Sequence, residues 1–206
     1  MMHLHETFRK SCLPFTSDQD LINNLWWEIE QKYSEKKRYY HNLEHLGNMF
    51  SEIEAIKDLI SDFSNISFAI FYHDVIYDAS SKTNEEKSAE FAQIRFQKLS
   101  IDQESVDQVC KQILATKMHQ KSGDIDTNYL LDADLSILGK DLETYLDYTR
   151  KIRKEYSIYP DFLYKPGRKK VLQHFSELEN IFKTDYFKDQ YEVQAKLNIE
   201  YELRSL

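Results

Sequence analysis

Almost nothing interrupts this chain. Four glycines and three prolines are spread over 206 residues. Sandwiches and barrels turn roughly every 8–12 residues, so this scarcity predicts a helical protein. Between the breaks, apolar residues recur at helical spacing. Leu46, Met49, Phe50, Ile53, Ile56 and Ile60 predict a helix over 42–60. Thr16 and Gln19 stand at capping-box spacing before a helix through LINNLWWEIEQKY. Residues 66–72 (ISFAIFY) are apolar on all sides and predict a buried helix. Asn84 is expected to cap a helix over 85–99, and Val106 to Leu114 mark another. Further helices are expected near 128–138, 141–156, 167–182 and 188–204, with all three prolines outside helices. The expectation is a single all-α domain over 1–206, with about eight or nine helices. Its core lies over 16–156, and C-terminal helices follow over 167–204. The last helix is expected to pack on its own core, and both monomer and homodimer stay open.

The apolar share is 41%, the aromatic share 14% and the charged share 30%, too apolar for a disordered chain. The net charge of −8 repels a phosphate backbone, which argues against general nucleic-acid binding. Cys12 and Cys110 match no metal spacing and read as free thiols of a reducing compartment. The N-terminus has no apolar run of signal-peptide length, and no stretch is apolar enough to span a membrane. A cytoplasmic protein is expected.

Three stretches do not fit a plain core. In YLLDADLSILG, a helical wheel puts Asp134 inside the apolar arc of Leu130, Leu131, Leu135, Ile137 and Leu138, and Asp132 outside it. A lone buried carboxylate costs several kcal/mol unless it is paired or binds metal. A partner Lys or Arg, a helix-terminal hydrogen bond and a metal all answer that need. In FAIFYHDVIYD, His73 and Asp74 end the most apolar run of the chain. An imidazole beside a carboxylate makes a mixed N/O ligand pair. Alone, the dipeptide reads as a backbone-bonded histidine followed by a turn. In YYHNLEHL, His41 and His45 are spaced to share a helix face, with Asn42 as a helix cap between them. Alone, they read as a surface or core-edge pair. Together, the three stretches offer two imidazoles and two carboxylates, a workable set for a divalent metal.

The order His45, His73-Asp74, Asp134 resembles the HD superfamily of metal-dependent phosphohydrolases, which are all-α. Tyr40-His41-Asn42 with His45, His73-Asp74-Val75 and Ala133-Asp134-Leu135-Ser136 are similar to the metal-site segments of cyclic-nucleotide phosphodiesterases. The run RYYHNLEHL, FYHDVIYD, NEEKSA, LLDADLSILG, IRKEY resembles a family of small bacterial proteins described as predicted HD-superfamily phosphohydrolases. This resemblance covers about residues 15–204. It implies that His45, His73, Asp74 and Asp134 bind metal. It also implies that His41 is the general acid and that Asp74 takes part in catalysis. The phosphodiesterases carry a further aspartate and histidine after HD. Here Val75-Ile76-Tyr77-Asp78 follows, so a second metal stays open. Their glutamine-and-phenylalanine purine clamp is not found, and cyclic-nucleotide specificity is not carried over.

The expected reaction is hydrolysis of a phosphomonoester or phosphodiester of a nucleotide or other small phosphate compound. Metal-activated water would attack, and His41 would protonate the leaving oxygen. Mn, Fe, Ni, Zn, Co and Mg all suit His and Asp ligands. Arg38, Lys117 and Arg153 are candidates to neutralise the phosphate. The KPGRKK segment at 165–170 is a further candidate, with a solvated helix start as the favoured alternative. His119 is expected at the surface, with a second metal or a phosphate contact as its functional alternative. A non-catalytic HD module that binds metal or nucleotide as a sensor or scaffold is the rival reading.

Overall fold

The computed structural model describes residues 4–206, and every regular element among them is helical. The α-helices are α1 (Leu4–Cys12), α2 (Gln19–Tyr33), α3 (Leu43–Ala55), α4 (Phe63–Tyr72), α5 (Asn84–Lys98), α6 (Gln103–Ala115), α7 (Ile125–Leu135), α8 (Leu142–Glu155), α9 (Asp161–Glu177) and α10 (Asp185–Ser205). Short 3₁₀ turns follow α3 and α7, at Lys57–Leu59 and Ser136–Gly139. None of the helices is long and apolar enough to cross a membrane.

Aspartate or asparagine caps set most of the starts. Asp18, Asn42, Asp62, Asp102, Asp124 and Asp141 each accept a hydrogen bond from a backbone N–H of the first turn. Such caps satisfy donors that have no partner inside the helix. Two expected caps are corrected. The cap of α2 is Asp18, while the Thr16 hydroxyl accepts from Asp18 N at 3.1 Å. Asn84 is the first helical residue of α5, and its side-chain amide clasps the backbone of Asp78 instead. The helix expected over 42–60 ends at Ala55 and continues only as the 3₁₀ turn.

Helix α4 is the axis of the fold. It is buried from Asn65 to Tyr72 and packs against α1, α3, α5, α6 and α7. Phe8 of α1, which the sequence reading did not anticipate as a helix, meets Phe71 edge to face at 5.2 Å. Helix α7 is the second buried helix. It has no wet face between Asp126 and Ala133, so the amphipathic wheel fails there. Asp132, expected outside the apolar arc, is fully buried. It accepts from the backbone N–H groups of Lys183 and Thr184 and from the Thr184 hydroxyl. Asp134, expected inside the arc, keeps 15% of its side chain exposed.

The C-terminal helices close the domain. Helix α10 lies on the 3₁₀ turn after α7 and buries Phe187, Ala195 and Ile199. Helix α9 touches the body mainly through Tyr164, Arg168, Leu172 and Phe175. Pro166 sits inside α9, contrary to expectation. The N–H it lacks would have bonded the carbonyl of Phe162, an exposed residue of the first turn. Within KPGRKK, Lys165, Lys169 and Lys170 are exposed, but the Arg168 side chain is only 9% exposed and is bidentate to Glu202 at 2.7 and 2.9 Å.

Gly139 fixes how closely α10 can approach. A Cβ there would lie 2.7 Å from the backbone oxygen of Tyr191 and 2.9 Å from its Cα. Gly139→Ala should therefore destabilise the fold by about 1–3 kcal/mol through overpacking. Urea unfolding measures this directly, and an unchanged midpoint would show that α10 shifts freely.

Candidate metal centre

Three helix ends and one loop meet beside α4. Asn42 caps α3 by accepting from Glu44 N and His45 N, which leaves His41 just ahead of the helix and turns His45 inward. His73 ends α4, and its Nδ1 lies 2.9 Å from the Ile70 carbonyl. An Nδ1–H donating to that carbonyl leaves the Nε2 lone pair free for the site. Asp74 follows directly, and Asp134 stands in the last turn of α7. His119 reaches in from the loop after α6 with its backbone in the left-handed region (φ 48°).

Their donor atoms converge. His45 Nε2 lies 3.3 Å from His73 Nε2 and 3.1 Å from Asp134 Oδ1. His73 Nε2 lies 3.2 Å from Asp74 Oδ2 and 3.9 Å from Asp134 Oδ1. Ligands about 2.1 Å from one ion stand roughly 3.0–3.4 Å apart at octahedral to tetrahedral angles. His45, His73 and Asp74 offer atoms that all lie within 4.8 Å of one another and can hold a metal ion. Asp134 borders the same point. Two carboxylates balance a divalent charge, and the donor set fits a borderline or hard cation.

Burial works against every charge here, so the shifts report what opposes it. Burial resists ionisation of Asp74, yet the His73 imidazole holds its carboxyl below the usual range. Asp134 is also held low against burial, by hydrogen bonds to His119 and His45. Burial pushes the His45 imidazole down, toward the neutral form that ligation requires. His73 is raised despite burial because Asp74 adjoins it, so a proton and a cation compete for its Nε2.

His41 stands apart from this group. Its Nε2 is 3.9 Å from Asp74 Oδ2, while its Nδ1 lies 2.6 Å from Glu155 Oε2. Glu155 is a functional candidate that the sequence reading missed. Its buried carboxylate also accepts from Tyr40 N at 2.7 Å, His41 N at 3.0 Å and the Tyr77 hydroxyl at 3.0 Å. The Tyr77 ring stacks on His41 at 4.3 Å. Burial disfavours a charged His41, but the Glu155 hydrogen bond and Asp74 outweigh it and raise the imidazole. A signal was available: Tyr145, Tyr148, Ile152 and Glu155 share one stripe of α8, with a carboxylate in an otherwise uncharged row.

The expected cations are engaged elsewhere. Arg38 is buried behind the site and donates to the carbonyls of Asp74 at 2.6 Å and Val75 at 2.9 Å. Its guanidinium lies over the rings of Tyr33 and Tyr77, so it braces the HD segment through backbone. Lys117 is tied to Glu86 and to the Lys82 carbonyl. Arg153 pairs with Asp161 at 2.7 Å and binds the Tyr156 and Tyr159 carbonyls. His119 is corrected in the other direction. Rather than lying free on the surface, it places Nε2 2.9 Å from Asp134 Oδ2.

His73→Ala should abolish stoichiometric metal binding. His119→Ala should weaken it about 10- to 100-fold, because it removes the group that orients Asp134. Calorimetric titration of chelator-treated protein with manganese or zinc reads both, and wild-type affinity in His119→Ala would refute the orienting role. No family model, curated protein or solved structure matches the chain, so what this centre does is argued from its own geometry.

Proposed function

We propose that the protein is a metal-dependent phosphohydrolase that cleaves a phosphomonoester or phosphodiester of a small phosphate compound. The observation that carries this reading is a division of labour. His45, His73 and Asp74 form a group that could hold a cation, with Asp134 Oδ1 3.1 Å from His45 Nε2, while His41 sits at their edge on a carboxylate of its own. A purely structural metal site has no need of the second arrangement.

His45, His73, Asp74 and Asp134 would hold the cation. When bound, it would supply Lewis acidity toward a phosphoryl oxygen and lower the pKa of attacking water. Asp74, partly exposed at 14% of its side chain, can orient that water through a carboxylate oxygen. His41 would carry a proton on Nε2 and deliver it to the leaving oxygen. Glu155 stabilises the charged imidazole through Nδ1 and fixes its direction through the two backbone N–H groups it also binds. Tyr77 covers one ring face and limits water there.

Asp74→Ala should lose both metal and turnover. His41→Ala should keep stoichiometric metal and lose turnover by about 10²–10⁴-fold. Metal analysis beside a hydrolysis panel of phosphomonoesters, mononucleotides, cyclic mononucleotides and dinucleotides measures this. Loss of metal from His41→Ala would make it a ligand and overturn the assignment. Stoichiometric metal without turnover of any ester would make the protein a binding module.

The charge of Glu155 sets a pH test. An acid must be protonated to act, so kcat falls as pH rises through the His41 pKa, which Glu155 raises. Glu155→Gln should therefore move the basic limb of the kcat profile to lower pH. A limb that stays in place would remove His41 as the acid.

A further inference from the structure

A polar groove runs beside the candidate centre, between α3 and α8. It encloses about 390 Å³, and Tyr40 and His45 line it at the end nearest the metal ligands. Helix α8 leads away from that end, since its last residue, Glu155, holds His41. The volume suits a small ligand.

The lining is poor in free positive charge. Three carboxylates (Glu44, Glu143, Asp147) face two cations (Arg150, Lys151), a balance of −1. Both cations are already paired. Lys151 Nζ lies 3.2 Å from Glu44 and 3.0 Å from Asp147, and Arg150 lies 3.2 Å from Asp147. The far end is the first turn of α8, where backbone N–H groups would ordinarily draw an anion. There the Asp141 carboxylate takes the Thr144 N–H at 3.0 Å and its hydroxyl at 2.7 Å, and Glu143 adds a second negative charge. In contrast, Asn48, Glu143 and the Tyr40 hydroxyl have no side-chain hydrogen bond or ion pair among the described residues. They offer acceptors and donors to a neutral polar guest.

We propose that this groove is the subsite for the alcohol portion of the substrate, and that it selects a monophosphate ester of a neutral, hydroxyl- or amine-bearing body of nucleoside or sugar size. A second phosphate on that body would meet the groove's acidic far end with no unpaired cation to receive it. The position of the reacting phosphate rests on the hydrolase reading above; the selectivity rests on the groove itself.

The test uses the metal-loaded full chain with two matched pairs of probes. Adenosine monophosphate and glucose 6-phosphate are compared with adenosine 3′,5′-bisphosphate and glucose 1,6-bisphosphate, by phosphate release and by calorimetric binding. Each monophosphate should be favoured over its bisphosphate by at least about tenfold. Glu143→Lys and Asn48→Lys, both at exposed positions, should bring that ratio close to one while metal affinity stays at the wild-type value. Equal or better use of the bisphosphates, an unchanged ratio in both lysine variants, or no binding of either monophosphate would overturn the proposal. Selective binding of the monophosphates with no ester cleaved would support the groove and refute the hydrolase reading instead.

Discussion

Two aspartates, Asp74 and Asp134, are held ionised at the edge of a buried core, and the rest of the site answers to that fact. Carboxylates in such surroundings require opposite charge or several donors. His45, His73 and His119 supply the near contacts, at 2.9 to 3.2 Å. Each histidine is held by its own local feature: the Asn42 cap of α3, the Ile70 carbonyl in the last turn of α4, and a left-handed backbone before α7. Arg38 then ties the backbone of Asp74 and Val75 to the segment that carries His41. The directions of these side chains thus follow from helix ends packed around α4, which has no exposed face on which to rotate.

Around this centre lie two further layers. On one side, Glu155 gathers His41, Tyr77 and the backbone of the YYHN segment into one hydrogen-bonded unit. On the other, the groove between α3 and α8 continues outward from His45 with a lining whose charges nearly cancel. On the proposed reading, the positive charge that a phosphate needs would come from the bound cation. That reading leaves no role in the chemistry for Lys117 and Arg153, which are committed to pairs with Glu86 and Asp161.

Much of this was legible in the sequence. Scarce glycine and proline, with apolar residues three and four apart, gave the all-helical architecture and most helix positions. His45, His73, Asp74 and Asp134 stood out because each interrupts or borders an apolar run. What escaped did so for physical reasons. The wheel applied to α7 assumed one wet face; the helix is buried all round, so Asp132 is a structural acceptor and Asp134 opens to the site. Glu155 binds His41 across 114 residues, a separation over which local spacing carries no information. Arg38 adjoins the motif in sequence, but whether a guanidinium faces substrate or backbone depends on the packing of Tyr33 and Tyr77. His119 lies in a loop, where periodicity gives no face at all.

The most direct test of this account is an anomalous difference map from crystals of the manganese-loaded protein. The account predicts a peak within about 2.0–2.3 Å of His45, His73, Asp74 and Asp134, with His41 outside the ligand sphere and still bonded to Glu155. A peak ligated by His41, or no peak at this position, would contradict it.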